Sequence, residues 1–392
     1  MEDIIFNAKI IKRGKVNGQK YVVLNETTFY PDGKGGQLGD RGTISHSKVL
    51  SVKEKEGEIL HFVDQFPLED EVNCVVSGKR RMDISVHHTA QHILSGAFMH
   101  LFNIETSSFH MGEKYCTIDI AALDISKERV RAAEELANKI VMQNIPVKKY
   151  FVTEKQLEKL PLRKKHDVNG KIRIVEIPDF DISMCGGTHV DYTGEIGIIK
   201  VLKYERVKKV FQRIYFVAGM RALRDYERKT EILSDISSLL TTGEDELLEK
   251  IKSLVKEQKN RKKEITQLKN TLFEYIAEEL VKESKVIGTT NVLIKEVKDY
   301  SKEDLINLSK RCKNKKSLLS ILYSNKGNVT EVVISKGNGI KFDLSRLKEE
   351  LSKKFELRGG GNSGFMMLEM NRTEGIKETI EQFIQSEKKL VD

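Results

Sequence analysis

The sequence predicts an α+β multidomain protein. Its expected parts are a small β-barrel with a glycine-rich loop over residues 1–80, a metal-holding α/β domain over 81–225, a long helical hairpin or coiled coil over 226–284, and a C-terminal α/β domain over 285–392. Three observations carry that reading. Short runs rich in β-branched residues recur near the N-terminus, a heptad seam crosses the middle of the chain without proline, and strand and helix patterns alternate toward the C-terminus. At 392 residues the chain has room for about two to three domains, each with its own core.

Bulk properties narrow the class. Charged residues are 32% of the chain and hydrophobic ones 39%, an ordinary composition for a chain in water. The net charge of +9 favours a polyanionic partner without naming it. Cys74, Cys116, Cys185 and Cys312 share no short spacing, which fits a reducing compartment and not a disulfide framework. The acidic start lacks the basic segment and apolar core of a signal peptide, and no window approaches the roughly eighteen apolar residues of a membrane span. A cytoplasmic protein is expected.

In chain order, residues 21–24, 49–52, 59–63 and 72–76 read as short strands separated by Gly, Asp and Lys clusters, the spacing of a small barrel. Between the first two lies a loop with glycines at 33, 35, 36, 39 and 42. It lacks the Gly-Lys-Ser/Thr ending of a phosphate loop and the following helix of a dinucleotide fingerprint. So many glycines let backbone approach a ligand closely, and successive amides can cradle an oxygen-rich group.

The run 86–100 has helical apolar spacing, no proline, and His88 and His92 four apart on one face. His87 points about a quarter turn away and is read as a non-ligand. Two histidines are a weak metal signal alone, but Cys185-Gly186-Gly187-Thr188-His189 offers a thiolate and a third imidazole at the same spacing. The two glycines argue for a tight turn there. Together the four side chains complete a tetrahedral zinc set of three nitrogens and one sulfur. Thr89 stands where a metalloprotease helix carries its glutamate base, and the His-x-Glu and Cys-x-x-Cys of zinc deaminases are missing, so both hydrolytic classes are disfavoured.

Residues 107–112 read as a loop leading into a strand at 115–120, with His110 as a weak catalytic candidate. A helix follows over 127–143. The runs 148–151, 163–165 and 208–209 are basic, and each is either a phosphate contact or a solvated face. Farther on, Leu247, Ile251, Leu254, Gln258, Arg261, Ile265, Leu268, Leu272 and Tyr275 alternate steps of four and three. Dimeric coiled coil and intramolecular hairpin both satisfy that pattern. Strands at 291–294, 318–323, 331–335 and 365–370 then alternate with helices near 301–312, 343–355 and 374–387, and 310–316 is a basic run. The Gly359 to Gly364 run fits Gly-x-Gly-x-x-Gly, but no helix follows it, which argues against a dinucleotide site.

The two histidine-bearing motifs resemble the paired zinc signature of alanyl-tRNA synthetase editing domains and of their free-standing relatives, the AlaX trans-editing proteins. Flanking residues extend the resemblance: Thr27-Thr28-Phe29-Tyr30-Pro31-Asp32 with the glycine-rich stretch, Thr193 to Gly197, and Arg213 to Gly219, with weaker similarity running to the end. The loop is one residue longer than the family form between Pro31 and Gly35. The resemblance implies a zinc-dependent hydrolase that deacylates mischarged alanine tRNA, seryl first and glycyl second. His88, His92, Cys185 and His189 would hold zinc, and Thr27, Gly35, Gly36 and Gln37 would meet the substrate. Whether zinc activates water or anchors the substrate stays open, since four protein ligands usually mark a closed site. The 358–364 segment resembles the glycine-rich part of the synthetase C-terminal domain, which implies tRNA binding and a homodimer. The resemblance begins near residue 1, so no amino-acid activation is expected. The competing reading is a non-catalytic tRNA-binding or assembly protein with a structural zinc.

Overall fold

A computed structural model describes residues 2–164, 170–208, 210–287, 290–315, 318–327, 329–371 and 375–387. The chain divides into two units, Met1–Leu239 and Leu240–Asp392. The first opens with β1 (Ile4–Val16), β2 (Gln19–Leu24), β3 (Gly42–Ile44), β4 (Ser47–Lys55), β5 (Glu58–Val63) and β6 (Glu71–Val76). These pair antiparallel in the order β1-β2-β5-β4-β3-β6, and β6 returns to β1 to close a barrel. Alternation explains the wall: Ala8, Ile10, Val72, Cys74 and Val76 turn into a core shared with Phe29 and Ile44, while Lys9, Glu71 and Asn73 between them are exposed.

Next comes α1 (Gly78–Phe102), which starts well before the predicted helix. Ser77 caps it by accepting a hydrogen bond from the Arg80 amide, and Asn103 ends it in the left-handed region. The unit continues through β7 (Thr106–Met111), β8 (Cys116–Ile120), α2 (Lys127–Met142), β9 (Lys148–Val152), the single turn α3 (Glu154–Leu157), β10 (Ile172–Ile177), β11 (Asp181–Met184), β12 (Ile199–Lys208), β13 (Phe211–Ala218) and α4 (Gly219–Leu240). One sheet runs β12-β13-β8-β7 and a smaller one β11-β10-β9. Ile93, Leu94, Ala97 and Phe98 of α1 share a core with Ile118, Ile214 and Phe216 of the larger sheet and with Ala133, Ala137 and Ile140 of α2. Every α1 residue from Ile84 to Phe98 is buried. The segment expected as a loop at 107–112 is instead the edge strand β7, because pairing with β8 supplies the order that its Ser-Ser-Phe-His sequence does not.

The second unit holds α5 (Leu247–Lys282), β14 (Lys285–Ile287), β15 (Thr290–Glu296), α6 (Lys302–Lys315), β16 (Leu318–Lys326), β17 (Val329–Lys336), α7 (Leu344–Ser352), β18 (Leu357–Asn362), β19 (Phe365–Met370) and α8 (Ile376–Glu387). Its sheet runs β14-β15-β16-β17-β19-β18, with β15 and β16 parallel and α6 between them in the chain. Leu344, Leu347, Leu351 and Ile380 of α7 and α8 join one hydrophobic cluster with the sheet; Leu305 and Leu308 of α6 join another with Phe273, Ala277 and Leu280 at the end of α5. The glycine run at 359–361 is part of the edge strand β18. Among the described residues no helix is long and apolar enough to cross a membrane.

Candidate metal and substrate site

His88 and His92 lie one turn apart on α1, and Cys185 and His189 on the irregular segment after β11 come to meet them. One ligand atom from each of the four lies within 4.8 Å of the others. The Cys185 Sγ is 3.4 Å from His88 Nε2 and 3.2 Å from His189 Nε2. Tetrahedral zinc with ordinary bond lengths needs ligand separations of roughly 3.3–3.7 Å, so the two Cys185–imidazole separations suit a zinc ion in size and the set of three nitrogens and one sulfur suits it in chemistry.

Each imidazole is oriented through its other nitrogen. His88 Nδ1 is 2.7 Å from the Gln37 side-chain oxygen, His92 Nδ1 is 2.9 Å from Asp181 Oδ2, and His189 Nδ1 is 3.0 Å from the Thr89 hydroxyl, which itself donates to Ser85 O. Oxygen partners at all three Nδ1 atoms direct the Nε2 atoms toward one point, the arrangement by which a protein fixes metal-binding histidines. Phe109 stacks on His88 with ring centroids 5.5 Å apart. Asp181 is held in turn by Arg163 Nε at 2.7 Å and by the Ser183 hydroxyl at 3.0 Å. Burial opposes ionisation of Cys185, but His88, His189 and His92 around it hold its thiol far below the usual range. A thiolate is therefore ready for a cation. Burial would lower His92, yet the Asp181 carboxylate and Cys185 raise it to about 9, whereas burial and the neighbouring His88 push His189 down to about 3.

The glycine-rich loop folds over this group. Asp40 pairs with Arg81 of α1 and accepts from the Tyr30 amide at 2.6 Å; Asp32 pairs with Arg41 at 3.0 Å and accepts from the Gly39 amide at 2.9 Å. Buried Gln37 accepts from both His88 and the Thr188 amide, the latter at 3.0 Å, which ties the loop to the Cys185–His189 segment. A Cβ at Gly187 would stand 2.1 Å from His88 Cε1 and 2.6 Å from the Gln37 oxygen, so only glycine fits there. Arg173 clamps the same segment by donating to Cys185 O and Gly187 O at 2.9 and 2.7 Å. Burial first, and then the Cys185 charge, push the Tyr30 phenol up to about 12.

Three comparisons bear on this arrangement. The family model of the threonyl and alanyl tRNA synthetase second additional domain matches residues 172–215, the stretch that carries Arg173, Asp181, Cys185 and His189. The alanyl-tRNA editing protein AlaX-L of Pyrococcus horikoshii is 32% identical over 373 residues, covering 91% of this chain and 89% of that one. The chain belongs to the AlaX-L alanyl-tRNA editing protein family. Alanine–tRNA ligases of Methanopyrus kandleri and Pyrococcus abyssi are 31% and 30% identical, but the chain spans only 40% and 41% of their lengths. The C-Ala domain of Aquifex aeolicus alanyl-tRNA synthetase aligns with a TM-score of 0.25 at 17% identity over 26% of this chain and 95% of that one, too slight a likeness to carry an argument.

Within this chain the remaining expected residues fall in different places. A Cβ at Gly35 would lie 3.9 Å from His88 Cε1, and one at Gly36 would lie 3.1 Å from Phe109 O, so Gly35 stands against His88 and Gly36 against Phe109, whose ring stacks on His88. Half-buried Thr27 lies three residues before Tyr30, with its hydroxyl 2.8 Å from His61 Nε2. His110 follows Phe109 on β7, and since successive strand residues face opposite ways it is directed away from the face that stacks on His88. It lines a cavity with Thr117, Arg213 and Tyr215 instead. Of the basic runs, Arg163 is committed to Asp181 and Lys149 to Asp191, while Lys165, Lys209 and Lys316 lie outside the described residues. Sequence reading missed Asp181, Thr89, Arg163 and Arg173. Thr89 had a signal, since it fills the place of a missing glutamate; the others carry no local motif.

Proposed function

We propose that this chain is a cytoplasmic trans-editing hydrolase that cleaves the ester joining serine, and secondarily glycine, to alanine tRNA. The observation that carries the reading is the hydrogen bond from His88 to Gln37, which joins the glycine-rich loop and the four-ligand group into one site. A structural clip needs no such loop, although four protein ligands are also what a closed structural zinc would show. A bound zinc would be held by His88, His92, Cys185 and His189 and would supply Lewis-acid polarisation or an anchor for the substrate.

The chain's own residues do the rest. Gly33, Gly35 and Gly36 take left-handed backbone conformations, with φ of 85°, 62° and 74°, which glycine adopts without strain. Thr27 is read as the group that meets the side chain of the attached amino acid. A serine hydroxyl then gains a partner that alanine cannot give, and this second check is needed because an apolar synthetic pocket rejects an added hydroxyl by only about a hundredfold. The exposed seam of α5 supports self-association, and the C-terminal unit is assigned to tRNA binding.

A deacylation panel on seryl-, glycyl- and alanyl-tRNA(Ala) tests the reading, run with the intact protein, the metal-stripped protein and His92→Ala. Rapid hydrolysis of the seryl ester, slow hydrolysis of the alanyl ester and loss of both in the two controls is the expected pattern. Tight binding of alanine tRNA with no hydrolysis of any ester would establish the non-catalytic alternative.

A further inference from the structure

The Thr27 hydroxyl is not free to choose its role. His61 of β5 is fully buried, with its Nδ1 3.2 Å from the carbonyl oxygen of Val22. A carbonyl can only accept, so Nδ1 carries the proton. Burial keeps the ring neutral, and Nε2 therefore presents a lone pair. That lone pair faces Thr27 Oγ1 at 2.8 Å, so the threonine donates its only proton to His61. The Phe29 amide donates to the same oxygen at 3.1 Å and takes one of its two lone pairs. One acceptor position is left. Phe29 also sets its ring edge-on to His61, with centroids 5.3 Å apart.

We propose that His61 is a positioning residue that locks Thr27 as a hydrogen-bond acceptor, so that the site selects an aminoacyl group bringing its own hydroxyl donor. This rests on the reading above that Thr27 meets the amino-acid side chain. A threonine free to rotate could pair with donor or acceptor alike; here the buried imidazole removes the second choice. The chain should hydrolyse seryl-tRNA and reject the O-methylserine ester, which offers an acceptor and no donor.

The test compares kcat/KM on seryl-, alanyl- and O-methylseryl-tRNA(Ala) for the full chain and for His61→Phe, His61→Gln, Thr27→Val and the Thr27→Val/His61→Phe pair. Thr27→Val loses one neutral hydrogen bond in the transition state and should lower the seryl-to-alanyl ratio about tenfold, whereas His61→Phe, which frees the hydroxyl without removing it, should lower that ratio by about threefold. His61→Gln, whose side-chain oxygen can still accept from Thr27, should retain most of the ratio. The double variant should fall no further than Thr27→Val alone, since His61 acts through Thr27, and His61→Phe should gain activity on the O-methyl ester. An unchanged ratio in His61→Phe, with Thr27→Val impaired, overturns the role of His61 and leaves that of Thr27 standing. An unchanged ratio in Thr27→Val removes Thr27 from the substrate and takes this inference with it. Imidazole nitrogen NMR on the unmodified protein decides the matter if the variants do not fold: the Nδ1–H tautomer is expected, and the Nε2–H tautomer refutes the proposal.

Discussion

Two long helices in this chain use their side chains in opposite ways. From Ile84 to Phe98, α1 is buried on every face although it carries His87, His88, Thr89, Gln91, His92 and Ser95. In α5, Leu248, Ile251, Leu254, Val255, Ile265, Leu268, Leu272 and Tyr275 are each at least 40% exposed. Buried polar groups persist only with partners, and those of α1 have them: His87 with the Asp83 carbonyl, Gln91 with Ser95, Thr89 with the Ser85 carbonyl, and His88 and His92 with Gln37 and Asp181. The exposed apolar residues of α5 form a sustained row at the heptad spacing read from the sequence. Buried polar residues thus point to a site, and a row of exposed apolar residues is the pattern whose covering by a second copy the last experiment below tests.

The α1 half of this comparison breaks most visibly at the metal group. Cys185→Ala removes the anionic ligand, and zinc binding followed by chelator competition should be abolished. Asp181→Asn and Gln37→Ala leave all four ligands but release one imidazole each; by the usual worth of such supporting groups, zinc affinity should fall about tenfold to a hundredfold. Equal affinity in Gln37→Ala and the parent would mean that the loop only touches the group without orienting His88.

The next effect lies in the barrel and is read by pH. Burial holds His61 at about 4, against about 6.5 for a histidine in an unfolded chain. Between those values the unfolded state binds the extra proton, so stability rises with pH there. The contribution is complete above pH 6.5 and is lost as pH falls toward 4, a change of roughly 3 kcal/mol from this residue. Denaturant melts at pH 7 and pH 5 should show a smaller difference in His61→Phe than in the parent. An identical slope would show that His61 already titrates normally in the folded chain.

How much of this was legible beforehand follows from the range of each interaction. Strands 59–63 and 72–76, the helix of His88 and the alternation in the C-terminal half were readable because their apolar periods are local. The two candidate ligand pairs, His88 with His92 and Cys185 with His189, were readable because the spacing within each pair is local; that the pairs meet became visible only in the fold. β1 was not readable, since its thirteen residues include Lys12, Arg13 and Lys15, and neither was β7, which depends on its neighbour. Gln37 was expected to touch substrate; its side-chain oxygen is bonded to His88 and Thr188, 51 and 151 positions away, and no local pattern encodes those contacts. Arg163 read as part of a basic run for the same reason, because Asp181 is recognisable as its partner only after folding.

The smallest effect on the chain itself is the one that sharpens the α5 half. Ile265 and Leu268 are 56% and 63% exposed, so replacing both with glutamate removes little buried apolar area. Surface changes of this kind usually stay within about 0.5 kcal/mol each, and the melting midpoint at low protein concentration should barely move. Self-association should respond quite differently. A coiled coil between two copies would place these side chains in its seam, where glutamates opposite one another are both buried and repelled, and sedimentation equilibrium would then report a monomer for the variant and a dimer for the parent. The alternative outcome is equally informative. If the parent is already a monomer, the seam is left for a different body, and the basic residues along the same helix, Lys256, Lys259, Lys262 and Lys263, make tRNA the first to try by titration at two salt concentrations.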